Sequence, residues 1–173
     1  MSTILVAAVL VGIVAAACFL IVRLDKKQKR TAMNQLLHAF HKAGSEHNLT
    51  FSSQEILKDS IIGLDGVHRK LLVLERTPHN VFNSFVIDLN EVRSCLVKKE
   101  YGTSRGGDQE GPKPAQYLQT IALHFKLADG PTADVFFYKH FENNIYQMAE
   151  LESKAKHWEA ILTKMLAPMK KAA

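Results

Sequence analysis

Hydrophobic positions along the chain follow three different periods, and each period predicts a different kind of element. Residues 3–22 read TILVAAVLVGIVAAACFLIV, an uncharged and almost wholly apolar stretch. Twenty such residues in a helix cover about 30 Å, the thickness of a bilayer's hydrocarbon core, so this stretch is expected to be a transmembrane helix. Met33, Leu36, Leu37 and Phe40 follow at helical spacing and predict an amphipathic helix over 23–44, with Gly44 as its stop.

From about residue 48 the pattern alternates with period two. SIIGLD at 60–65 and KLLVLER at 70–76 flank the turn Asp65-Gly66-Val67-His68, and Asp-Gly is a strong hairpin signal. NSFVIDL at 83–89 and VRSCLVKKEY at 92–101 predict two more strands, separated only by Asn90 and Glu91. In 117–127, Ile121, Leu123, Phe125 and Leu127 share one face, and 133–139 completes the series. Residues 49–57 read as either a first strand or a short helix. The last element is a helix whose stripe is Ile145, Met148, Leu151, Ala155, Trp158, Leu162 and Met165, ended by Pro168.

Several antiparallel strands followed by one amphipathic helix predict an α+β fold. A curved sheet or barrel of six or seven strands would be capped at its open end by the C-terminal helix. The expected division is 1–22 transmembrane helix, 23–44 basic juxtamembrane helix and 45–173 folded domain. That order resembles the pleckstrin-homology-like (PH-like) fold. The segments EILKDSIIGLDGVHRKLLVL (55–74), FVIDLNEVRSCLV (85–97) and AELESKAKHWEAIL (149–162) resemble a group of uncharacterised bacterial single-pass membrane proteins with a PH-like cytoplasmic domain. The resemblance implies a framework of turns and core positions, and no activity.

Charge refines this picture. The net charge of +5 is concentrated in 23–42, where Arg23, Lys26, Lys27, Lys29, Arg30 and Lys42 face Asp25 alone; 43–173 balances to zero. A nucleic-acid partner would call for a basic face on the folded domain, so none is expected. Basic residues after an apolar span stay on the cytoplasmic side. The chain is therefore expected in the inner (plasma) membrane, single-pass, with its N-terminus out and its body cytoplasmic. Arg23, Lys26, Lys27, Lys29 and Arg30 would contact the surface of the lipid bilayer.

Candidate chemistry is sparse. His38 and His41 lack the further ligands that a metal site requires. Cys95 lies within a strand, where a buried structural cysteine is the usual state. Asp65 and Asp88 sit where carboxylates hold turn amides, and His124 lies on the polar side of its strand. The glycine-rich stretch 102–116 lacks the Lys-Ser or Lys-Thr of a phosphate loop. No catalytic, metal or cofactor-binding residue, and no small-molecule substrate, is expected. The function expected is a non-enzymatic, membrane-tethered module binding a protein partner. The alternatives are a small membrane-anchored enzyme and a structural subunit of a membrane complex.

Overall fold

A computed structural model describes residues 2–77, 81–103, 116–128 and 130–166; for 2–15, 17 and 103 it describes the backbone alone. The chain begins with one continuous helix, α1 (Ser2–Glu46). Four strands follow, β1 (Ser53–Ile56), β2 (Ser60–Asp65), β3 (Lys70–Arg76) and β4 (Phe82–Asp88). Three more are β5 (Val92–Thr103), β6 (Gln116–Leu127) and β7 (Ala133–Lys139). A short 3-10 turn, Ile145–Gln147, leads into α2 (Met148–Leu166).

The α+β class stands, and the strands lie where alternation placed them. Their assembly differs from the expected barrel or single curved sheet. They form two antiparallel sheets, β1-β2-β3-β4 and β5-β6-β7. The reason lies in α2. β1 ends one sheet and β5 ends the other, and side chains of the helix join these two edges in place of a ladder. On β1, Glu55 accepts from Trp158 Nε1 at 3.4 Å and pairs with Lys154 at 3.1 Å. On β5, Lys99 pairs with Glu152 at 2.7 Å, and Glu159 accepts the Val97 amide at 2.7 Å. Leu151, Ala155, Trp158 and Leu162 fill the main core with Ile62, Leu71, Leu123, Phe125 and Phe137. The helix thus occupies the space that closure would need.

The N-terminal expectations also change. One helix stands where a transmembrane and a juxtamembrane helix were expected. Among the described residues no helix is long and apolar enough to cross a membrane. The single-pass placement in the inner membrane, N-terminus out and body cytoplasmic, is therefore unsupported. The C-terminal third of α1 instead packs on the outer face of the first sheet. Leu36, Phe40 and Ala43 are buried there against Ile61, Leu72 and Leu74.

Gly44 does not stop α1. The helix continues to Glu46 and ends where Asn48 takes a left-handed conformation (φ 52°). Gly44 instead makes room, since a Cβ there would lie 2.7 Å from the Phe51 ring. Gly63 does the same from β2, where a Cβ would meet Phe51 at 2.7 Å and Phe40 closer still. The two rings stack with centroids 4.6 Å apart. We expect Gly63→Ala to cost about 1–3 kcal/mol through overpacking, read as a lower urea midpoint at unchanged m-value.

Local sequence also explains the start of α2. Asn144 and Gln147 form a capping box: Asn144 Oδ1 accepts from Tyr146 N at 3.1 Å, and Gln147 Oε1 accepts from Asn144 N at 3.3 Å. The turn leaves Ile145 exposed, so the buried stripe starts later than predicted. Pro168 and most of the glycine-rich stretch, 104–115, lie outside the described residues.

Candidate functional site

The residues singled out in the sequence serve the framework. Asp65, at the end of β2, is fully buried. Its carboxylate accepts from the amides of Val67 and His68 at 2.9 Å each, from Thr50 N at 2.8 Å and from His68 Nδ1 at 2.8 Å. Burial alone would raise its pKa. The amides of His68 and Thr50 and the His68 ring outweigh that and hold the carboxyl well below its ordinary range. Asp88 gathers the β4–β5 turn, accepting from the Asn90 amide and side chain at 2.9 Å each. Arg69, left-handed at φ 55°, donates from Nη2 to the Met165 carbonyl at 2.6 Å and so ties the β2–β3 turn to the end of α2.

Cys95 is buried, and burial together with the nearby Glu159 carboxylate pushes its thiol up to about 12. A thiol so held is not a nucleophile at neutral pH. Cys18 is exposed. A chromogenic disulfide reagent is therefore expected to titrate Cys18 rapidly and Cys95 only as fast as the domain unfolds. Rapid reaction of both thiols in native buffer would contradict that burial.

His124 Nδ1 bonds to Asp134 Oδ1 at 2.6 Å across paired positions of β6 and β7. Neither this pair nor Asp88 or Cys95 lines a described concavity. Among the described residues no three or more His, Cys, Asp or Glu side chains are grouped to hold a metal.

Two concavities of the described structure bear on function. One, of about 400 Å³, lies between the β1–β2 turn, the end of β3 and β7. Most of its charged side chains are bonded within it. Lys58 donates to the Glu142 carbonyl, Arg76 bonds to Asp59, and Lys139 pairs with Glu142 at 3.4 Å while lying 5.0 Å over the Phe136 ring. It is a polar seam between the sheets.

The other is larger, about 940 Å³, and is an open groove between α1 and β4. Asn34, His38 and Lys42 form its helical wall, and Leu74, Phe82 and Ser84 its floor. β4 borders it as an edge strand, with β3 as its one neighbour among the described residues. The Arg69 carbonyl accepts from Leu89 N, and the Val81 carbonyl from Thr77 N, at 2.9 Å each. In an antiparallel ladder this parity makes Leu71–Ile87, Val73–Phe85 and Glu75–Asn83 the hydrogen-bonded pairs. The amides and carbonyls of Ser84 and Val86 then point outward, along the free edge. The sequence reading missed this site, because it arises only when α1 docks beside β4. The exposed polar row Asn34, His38 and Lys42 on α1 was its one visible trace.

The cations expected at a membrane surface, Arg23, Lys26, Lys27, Lys29 and Arg30, are all exposed on α1 ahead of the groove. Lys29 pairs with Asp25 at 2.7 Å, and Arg23 lies 4.4 Å over the Phe19 ring. Comparisons with protein-family models, with curated proteins and with solved structures found no match to this chain.

Proposed function

We propose that the protein is a non-enzymatic interaction module whose partner is another protein. The observation that carries this reading is the groove between α1 and β4. It combines an apolar floor, a polar helical wall and a strand edge with outward backbone groups. Interaction domains bind extended segments in concavities of this make-up. Most charged side chains of the 400 Å³ cleft, by contrast, are already bonded within it.

Site-specific photocrosslinking in the producing cell tests it. A photoreactive residue at Gln35 or His38 should give discrete protein adducts. The same residue at Lys126, on the far sheet, should give none. Equal labelling from both positions, or no protein adduct from the groove, would refute the reading.

A further inference from the structure

We propose that the β4 edge takes an extended, acidic peptide of the partner as an added strand, with its acidic residues lying on the basic face of α1. The inference rests on the protein-binding reading above and names its site and ligand class.

Three observations lead to it. Ser84 and Val86 each present an outward N–H and C=O, spaced two residues apart as a pairing strand requires. Edge strands are commonly blunted by a covering element or by charged side chains. On β5 Glu159 occupies the Val97 amide, and near the end of β7 Asn143 Oδ1 accepts from Lys139 N at 2.9 Å. Over Phe82–Val86, β4 carries no charged side chain, and among the described residues its neighbour on the open side is the groove itself.

The groove also has a side-chain register. Phe82, Ser84 and Val86 point to the face on which α1 packs, as do Leu72 and Leu74 opposite. A strand added beside β4 would direct alternate side chains onto that face, between β4 and α1.

Charge selects the peptide. The helical wall continues N-terminally from Asn34 and His38 without a break. At 3.6 residues per turn, Lys27 falls within about 20° of His38, while Arg23 and Arg30 lie about 60° and 80° round the helix on the Asn34 side, away from Gln35 and Ala39. All three are exposed. Lys42, within the groove, is only 3.9 Å from Glu46 and contributes little net charge. A peptide in the groove that runs on past Thr31 therefore meets Lys27 in line with His38, with Arg23 and Arg30 on the flank beyond Asn34, and acidic residues there would be favoured.

A library of random 12-residue peptides, selected on the full chain, supplies the probe. The strongest binder is resynthesised with N-methyl groups on alternate residues, in both phases. One phase should lose at least about tenfold in affinity and the other should stay within about twofold, because only alternate amides face β4. Amide exchange should slow at Ser84 and Val86. Lys27→Glu with Arg30→Glu, on the exposed helix, should weaken binding by about tenfold and flatten its salt dependence. The backbone modification lies in the peptide, so the protein's own fold is undisturbed.

Tolerance of both methylated phases, or protection confined to another surface, would overturn strand addition while leaving a protein-binding module. Equal affinity for polyglutamate or for a single-stranded oligonucleotide would overturn it in favour of simple anion binding on α1. Failure to select any peptide above an unrelated control protein would overturn both this proposal and the reading beneath it.

Discussion

Trp158→Ala is expected to destabilise the domain by about 3–5 kcal/mol, the scale for truncating a buried large aromatic. The indole is 2% exposed and is packed in the main core, so alanine leaves a cavity between α2 and the sheets. The loss goes beyond volume. Trp158 Nε1 donates to Glu55 on β1, so truncation also removes one of the links by which the helix holds the first sheet. Trp158→Phe keeps most of the apolar surface and should cost about half as much. Urea unfolding of the three proteins side by side measures both. A cost below about 1 kcal/mol for the alanine variant would contradict the packing. Trp158 is the chain's one tryptophan, so its emission should be blue-shifted in the native state and shift red on unfolding.

Asp65→Ala should be of similar size, roughly 3–5 kcal/mol, because it removes the buried acceptor of four hydrogen bonds that hold the turn. Three backbone amides and the His68 ring converge on that carboxylate. Asp65→Asn keeps one carbonyl acceptor and should lose less. The two variants also separate in their pH dependence. In the folded state the Asp65 pKa lies below its ordinary 3.8. The unfolded chain therefore binds the proton more readily. The stabilisation is present in full above the unfolded value and is lost as pH falls below about 4 toward the folded value. Stability of the parent should thus decline more steeply on the acid side than that of Asp65→Asn. Parallel acid limbs in the two would show that the carboxylate is not held as its hydrogen bonds imply.

The sequence made the strands legible because their signals are local. Asp65-Gly66 fixes the first hairpin, and alternation in Ile121, Leu123 and Phe125 marks a half-buried strand. The stripe from Leu151 to Leu162 was legible for the same reason. How the strands assemble was not, because that depends on groups far apart in the chain. Glu55 and Trp158 are 103 residues apart, and Val97 and Glu159 are 62. No periodicity joins such pairs. Gly44 was misread because glycine as a helix stop and glycine as a gap for a ring look alike until Phe51 is in place. The expected span is not supported either, since among the described residues no helix is long and apolar enough to cross a membrane. As for the candidate site, the sequence showed the polar row on α1 and a strand at 83–89, but nothing that set them side by side.

The cap that Glu159 places on the Val97 amide has a consequence for biosynthesis. α2 follows every strand in the chain, so β5 can pair with β6 and β7 before its cover has left the ribosome. At the ordinary rate of about 5–20 residues per second, that interval lasts on the order of a second or more. Through it the three-stranded sheet carries a bare edge from a long strand, of the kind on which nascent chains associate. Conditions that slow translation through 148–166, or variants such as Glu159→Ala that weaken the cover, should lower the yield of dispersed protein by more than their effect on the finished fold would account for.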